Sequence, residues 1–409
     1  MHLFQVKRVE EPVDDGGEND RPRGQEDEPR VEREEGSEDL ARPVDAFEAR
    51  VRRQPRRVAL RWNGRSLTYE RLDRLAGGVA RFLHHHGVRP GDRVALAIDN
   101  RWTFPVALLG AWKLGATVAP LDGRLTAGER AAVQRDLELA AVAHEVVGDE
   151  ADWPAAPGEA PPLILCTSGC PGPRRGVVLS QRAVASGVAT WIDVLALGAA
   201  DVVLAALPLS RSDGLGSALL AALVAGAEVV VVEGSSPEAV TAAVRDHGVT
   251  VFPGVAPMVR GLLATERDLE ALGRLRMTLV DPGPEAGTLV AEWTRRTGGR
   301  IFRSYGLTEV FGPVSYGAVE PGDRADSVGR PVPGVEVRIV DAEDRPLGAG
   351  AVGELLVRSP AVMEGYLGAP EETRAVLHEG WLRTGTLASL SPDGRLRIEG
   401  RKRTGIPRG

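Results

Sequence analysis

From residue 58 onward the chain alternates short, unbroken apolar runs with stretches whose apolar positions recur every three or four residues. Val58, Ala59 and Leu60 open one run and Leu67 closes a second, with Asn63-Gly64 between them, a strong signal for a tight hairpin. Thr68 then stands where a helix cap belongs. Leu72, Leu75, Val79, Phe82 and Leu83 fall on one helical face, and Gly87 supplies a stop. The same reading predicts strands over 93–98 and 117–121 with a helix between them ending at Leu114. Further on it predicts strands over 202–207, 228–232, 250–252, 277–280 and 300–302, separated by helices over 215–224, 237–247, 255–264 and 286–297. Unbroken apolar strands alternating with helices indicate parallel sheets covered on both faces. After about residue 325 the period changes to two: Val335, Val337 and Ile339 alternate with polar residues, and short strands over 354–357 and 396–398 are set off by turns such as Pro392-Asp393-Gly394. The expected fold class is therefore α/β, with two βα-rich sheets packed together and a smaller antiparallel, barrel-like portion.

Composition narrows this picture. The chain has 409 residues, enough for more than one structural unit. Residues 1–40 hold 14 acidic and 6 basic side chains, a net of −8, so the whole-chain charge of −7 leaves the remainder near +1. Residues 1–42 are expected to form a disordered acidic tail, because they lack the large apolar residues a core requires. With aromatics at 4% and no basic stripe, nucleic-acid binding has no support. No run of about 18 apolar residues is present, so no membrane span is expected. The two cysteines, Cys166 and Cys170, have no histidine near them in sequence, which disfavours a metal site or a disulfide framework and points to a cytoplasmic location. His84, His85 and His86 are consecutive on a helix end and point in different directions, the pattern of a solvated terminus rather than a metal site.

The stretch Leu163 to Ser180 carries the first candidate chemistry. A short apolar run ends at Cys166, a turn of Thr167, Ser168, Gly169, Cys170, Pro171 and Gly172 follows, and then Arg174 and Arg175 precede a second apolar run. Small residues let successive backbone N–H groups surround an anion, and arginines add charge and planar donors. A basic surface turn is the alternative for this loop taken alone.

Four further stretches, in order, make the chain resemble the adenylate-forming superfamily of acyl-CoA synthetases, peptide-synthetase adenylation domains and luciferases. The loop is similar to that family's phosphate loop, T-S-G-T-T-G-x-P-K-G-V. Ser304-Tyr305-Gly306-Leu307-Thr308-Glu309 matches Y-G-x-T-E, and Gly353-Glu354-Leu355 through Gly365-Tyr366 matches G-E-L…G-Y. Gly380-Trp381-Leu382-Arg383-Thr384-Gly385-Thr386 resembles G-W-x-x-T-G-D, and Gly400-Arg401-Lys402-Arg403 resembles the hinge. Residues 108–122 also fit a helix–strand motif of the family. The resemblance implies an adenylate-forming N-terminal domain over 43–399, its barrel-like portion at about 325–399, and a hinge stub over 400–409.

Members of this family use MgATP to convert a carboxylic acid to an acyl-adenylate, then pass the acyl group to coenzyme A or a carrier-protein pantetheine thiol. By resemblance, Thr167, Ser168, Gly169 and Gly172 would surround the outer phosphates, with Arg175 as the loop's cation. Tyr305 and Gly306 would lie at the adenine, and Thr308 at the α-phosphate. Glu309 would hold Mg2+, and Thr386 and Arg401 would lie near the ribose. The expected cofactors are ATP and Mg2+, and the expected partners are a small carboxylic acid and a thiol acceptor. The chain stops just after the hinge, so a separately encoded C-terminal domain is a further expected partner.

The departures from the pattern matter as much. Cys170 and Pro171 replace two threonines and Arg175 replaces a lysine, so the loop offers fewer donors. Thr386 replaces an aspartate that could accept from both ribose hydroxyls. Residues Val280-Asp281-Pro282-Gly283-Pro284 are bulkier than the family's S-G-G-A-P. Arg211 stands where a pocket histidine is usual, and either pairs with an acidic acyl group or faces solvent. Together these leave a second reading open: a non-catalytic relative that binds nucleotide, acyl-adenylate or a protein partner.

Overall fold

A computed structural model describes residues 6–7, 42–122, 125–126, 128, 133, 136–137, 139–144, 149–156, 158, 160, 162–167, 175–265, 268–281, 286–319 and 327–402. Three sheets organise these residues. The largest has nine strands, in the order Arg330–Pro331, Val310–Ala318, Ile301–Leu307, Met277–Val280, Val251–Pro253, Val202–Ala205, Glu228–Val231, Val58–Trp62 and Arg65–Thr68. The pairings from Ile301–Leu307 to Val58–Trp62 are parallel, and antiparallel strands close both edges. A seven-stranded sheet runs Val6–Lys7, Ala141–Ala143, Arg93–Leu96, Thr117–Pro120, Leu163–Cys166, Gly176–Leu179 and Gly365–Tyr366. The third sheet is antiparallel and joins Glu336–Val340, Gly353–Arg358, Trp381–Leu390 and Leu377–His378, with Leu396–Arg401 also paired to Trp381–Leu390. Two βα-rich sheets and a smaller antiparallel portion are what the hydrophobic periods predict.

Helices tie the two large sheets together. Leu72 and Leu83 of Tyr69–His85, Leu108 of Thr103–Leu114 and Val184 and Trp191 of Gln181–Val194 share one buried cluster with strand residues from both sheets, among them Val94, Val118, Leu60 and Val203. Removing such side chains from water is the main favourable term in folding. The helix boundaries follow local chemistry. Thr68 Oγ1 accepts from the Arg71 N–H at 3.3 Å, and Ser180 Oγ accepts from the Ala183 N–H at 3.1 Å, which satisfies first-turn donors. Asn63 and Gly64, at φ 42° and 73°, form the left-handed pair of the expected hairpin. Within the helical layer Lys113 is only 2% exposed, and its ammonium pairs with Glu48 at 2.5 Å and Asp73 at 2.9 Å.

The structure departs from the sequence expectations at several places. The helix Pro43–Arg53 has a mixed pattern with arginine at three of its positions, and its three buried residues, Pro43, Val44 and Phe47, lie at its start. The helix Gln181–Val194 and the strand Val310–Ala318 were also not expected. Residues 215–224 do not form one regular helix: a π-helical turn, Gly214–Leu220, leads into Ala221–Ala225. The acidic tail is not wholly outside the fold, since Val6–Lys7 pairs antiparallel with Ala141–Ala143; residues 1–5 and 8–41 lie outside the described set. Gly400 and Arg401, where a hinge stub is expected to begin, form the end of the strand Leu396–Arg401, and Arg330–Pro331 and Gly365–Tyr366 belong to the large sheets rather than the antiparallel portion. In the strand cases a backbone ladder over distant residues decided the matter, and local pattern does not carry that information.

Candidate functional site

The Leu163–Cys166 strand pairs antiparallel with Gly176–Leu179, so the intervening loop begins and ends at one point of the sheet edge. Thr167 is 2% exposed, its N–H donates to the Arg175 carbonyl at 3.1 Å, and the Arg175 N–H donates back to Thr167 Oγ1 at 3.4 Å. That pinch fixes the loop's two ends. Ser168, Gly169 and Gly172, with Cys170, Pro171 and Arg174, lie outside the described residues. Arg175 itself is not an unengaged cation: its guanidinium makes a close ion pair with Glu372 and sits over the Tyr366 ring, 5.0 Å from the centroid.

The second group comes from the hairpin that joins Ile301–Leu307 to Val310–Ala318. In the Tyr-Gly-x-Thr-Glu motif, Thr308 and Glu309 occupy a tight turn between two antiparallel strands, and the ladder shifts register at Gly306. Glu309 is 3% exposed. Burial pushes its carboxyl up from the ordinary value, against hydrogen bonds from its own N–H and from Tyr366 and against the positive charges of Arg401 and Arg175. The Tyr366 hydroxyl donates to Glu309 Oε1 at 2.9 Å. Burial and the adjacent Glu309 carboxylate hold the Tyr366 hydroxyl firmly protonated, so it remains a donor.

The third group lies on the antiparallel portion. Tyr305 is 6% exposed, and its hydroxyl hydrogen-bonds Thr386 Oγ1 at 2.8 Å. Arg401 faces Thr386 across the ladder, and its charge acts on both the Tyr305 hydroxyl and Glu309. Lys402 is anchored, because its Nζ donates to Glu354 Oε2 at 2.7 Å and its N–H donates to the Gly385 carbonyl at 2.9 Å. Arg383 also reaches Glu354 Oε2, at 3.1 Å, so the buried carboxylate is paired twice.

Tyr305, Glu309, Thr386 and Arg401 are thus within reach of one another's hydrogen bonds or charge, and Arg175 joins them through Tyr366 and its effect on Glu309. Gly306 and Thr308 sit beside Tyr305 and Glu309 in the same turn, Gly306 exposed and Thr308 half-buried. Arg211, expected near a pocket, ion-pairs Asp213 at 3.4 Å, which offsets its charge locally. Asp281 accepts from the Ala256 N–H at 2.9 Å, and residues 282–285 lie outside the described set. Two participants carried no assigned role from sequence: Tyr366, quoted only as half of a G-Y pair, and Glu372, which no motif marks.

The arrangement suits a polyphosphate with a hard divalent cation. Among the described residues no cluster of three or more His, Cys, Asp or Glu side chains could hold a metal. The buried Glu309 carboxylate fits Mg2+, which commonly takes one or two protein carboxylates and completes its shell with substrate phosphates and water, the phosphates also offsetting the charges of Arg175 and Arg401. A cation at Glu309 would offset the burial that disfavours its ionised form.

Comparison with known proteins agrees. A family model described as AMP-binding enzyme matches residues 47–153 and 143–367. A feruloyl-CoA synthase of Amycolatopsis is 30% identical over 382 residues, covering 85% of this chain and 76% of that protein. An indoleacetate–CoA ligase of Aromatoleum aromaticum is 30% identical over 392 residues, with 86% and 76% covered. A solved structure of a putative long-chain-fatty-acid CoA ligase from Rhodopseudomonas palustris superposes with a TM-score of 0.80 at 27% identity, covering 89% of this chain and 100% of that one. The O-succinylbenzoate coenzyme A synthetase of Bacillus subtilis, solved with ATP and magnesium, gives 0.79 at 26% identity, covering 87% and 79%. Fold and relatives define an α/β enzyme of the ligase class. The chain belongs to the AMP-binding enzyme family, in the AMP-forming acid–thiol ligase lineage of the adenylate-forming superfamily. No helix among the described residues is long and apolar enough to cross a membrane.

Proposed function

We propose that this chain binds MgATP at the convergence of Arg175, Tyr305, Glu309, Thr386 and Arg401 and activates a small carboxylic acid there. A carboxylate oxygen attacks the α-phosphorus, the bond to the bridging oxygen of the β-phosphate breaks, and acyl-adenylate and pyrophosphate form. Attacking group and target are both anionic, so the site's task is to hold them in line and offset charge as it develops. Thr308 donates to the α-phosphate, and Arg401 and Thr386 bind the ribose. Tyr305 and Gly306 border the adenine. Thr167, Ser168, Gly169 and Gly172 surround the outer phosphates, with Arg175 supplying positive charge. Glu309 would hold Mg2+, which would supply positive charge to offset that of the phosphate oxygens. The thiol of coenzyme A or of a carrier-protein pantetheine then attacks the acyl carbon, giving up its proton, and the acyl–phosphate bond breaks to release AMP.

The observation that carries this reading is the buried Glu309 carboxylate held between a tyrosine hydroxyl and two arginine charges. Calorimetry of the protein with ATP and Mg2+ should give saturable binding that Glu309→Ala weakens by about 10-fold or more, as loss of a metal carboxylate would. Absence of binding at millimolar MgATP would refute the assignment.

A second reading has its own support. Arg175 is paired with Glu372, and Tyr305 with Thr386, so two groups needed for nucleotide already have partners. A binding protein that performs no turnover would bind MgATP yet release no pyrophosphate with any acid from a panel of aryl, aliphatic and dicarboxylic substrates.

A further inference from the structure

Residues 361–367 run as a strap between the two large sheets. The Phe311 N–H donates to the Ala361 carbonyl at 3.0 Å, Val310 and Val362 form an isolated bridge, and the Met363 N–H donates to the Glu309 carbonyl at 2.9 Å. Those bonds clip the strap's first half to the hairpin that carries Glu309. Its second half is clipped to the other sheet. The Glu364 N–H donates to the Val178 carbonyl at 2.9 Å, Gly365 and Tyr366 pair with Val178 and Val177, and the Leu367 N–H donates to the Gly176 carbonyl at 2.8 Å. Gly176 directly follows Arg175, so the strap spans from the candidate metal carboxylate to the end of the candidate phosphate loop.

Tyr366, at the far end of this strap, touches both. Its hydroxyl donates to Glu309 Oε1 at 2.9 Å while the Arg175 guanidinium lies over its ring. The side chain is itself held: Tyr366 is 4% exposed, and its N–H donates to Thr373 Oγ1 at 2.9 Å on the helix Pro370–Val376, which also presents Glu372 to Arg175. A rigid ring pinned at the backbone and contacting an anion and a cation fixes their separation.

We infer that Tyr366 is a positioning residue that sets where the Glu309 carboxylate stands relative to Arg175, and so tunes the affinity for divalent cation and the placement of the outer phosphates. This rests on the reading of Glu309 as metal ligand. Orienting partners of a metal-binding carboxylate commonly contribute 10–100-fold in affinity, so the hydroxyl alone should be visible.

The test is Tyr366→Phe, which keeps the ring under Arg175 and removes only the bond to Glu309. Mn2+ is titrated by electron paramagnetic resonance in the presence of ATP, with Glu309→Ala alongside and ligand-free melting temperatures as a control. The expected result is a rise of about 10-fold in the Mn2+ half-saturation for Tyr366→Phe, with a melting temperature close to that of the parent. A half-saturation within twofold of the parent, while Glu309→Ala weakens binding, overturns the role of Tyr366 and leaves the site assignment standing. Failure of the parent to bind Mn2+ with ATP overturns both. Should Tyr366→Phe melt early, the unsubstituted protein answers instead. It has four tyrosines, and with 3-fluorotyrosine incorporated, Mn2+ and ATP should broaden the Tyr366 fluorine line and leave that of Tyr69 sharp. An unbroadened Tyr366 line refutes the inference.

Discussion

Thr386 offers the sharpest test of how far this site departs from a fully equipped one. It is 1% exposed, its hydroxyl is committed to Tyr305 at 2.8 Å, and Arg401 faces it across the strand ladder. Thr386→Asp places a carboxylate among the same partners. In the free protein the new charge loses water in a buried position, while the Tyr305 hydroxyl can donate to it and Arg401 supplies a countercharge. A hydrogen bond to a charged acceptor contributes about 1.5–3 kcal/mol, and an incompletely paired buried charge costs several, so the ligand-free protein should lose about 1–3 kcal/mol of stability. With nucleotide bound, both ribose hydroxyls can donate to the carboxylate, where the threonine oxygen serves them less well. Two charge-assisted bonds in place of about one neutral bond, less the desolvation, give a net of about 1.4 kcal/mol, or tenfold tighter ATP binding. Calorimetry should show that tightening for ATP and none for 2′,3′-dideoxy-ATP, and scanning calorimetry should show the lowered melting point. Unchanged ATP affinity, or an equal gain with the dideoxy nucleotide, would refute the placement of Thr386 at the ribose.

Two further outcomes concern the scaffold. A methyl group added at Gly187 would lie 1.4 Å from the Phe311 carbonyl oxygen, so Gly187→Ala must push the Gln181–Val194 helix off the strand beneath it. It should cost about 3 kcal/mol or more by chemical denaturation, whereas Gly198→Ala, with open space around it, should be nearly neutral. Asp201 is desolvated, which raises its carboxyl, but hydrogen bonds from Arg276, the Gly198 N–H and Thr250 outweigh this and hold it below the ordinary value. Its contribution to stability is therefore present above the unfolded-state value, near pH 4, and is lost as pH falls through the lower folded value. Asp201→Asn should lower stability by about 2 kcal/mol at pH 7 and flatten the acid limb of a stability–pH curve; a parallel curve would show that Asp201 plays no part in it.

Much of this protein was legible before any coordinates. Strand residues such as Val203, Val229 and Leu279 form unbroken apolar runs because parallel strands are buried on both faces, and Thr68 and Asn63-Gly64 announce their cap and turn through local chemistry that needs no distant partner. Motif order led to Arg175, Tyr305, Glu309, Thr386 and Arg401 as one candidate site. Tertiary structure decided how those residues are engaged. That Thr308-Glu309 turns a hairpin depends on the strand Val310–Ala318, whose pairing with Ile301–Leu307 local pattern did not disclose. That Gly400 and Arg401 are paired in a strand depends on a ladder to Thr386 and Leu387. Glu372 on Arg175 and Tyr366 on Glu309 join residues 197 and 57 positions apart. Contacts of that kind leave no periodicity to read, since they arise only when separate sheets are brought together and a polar group must find its partner out of water.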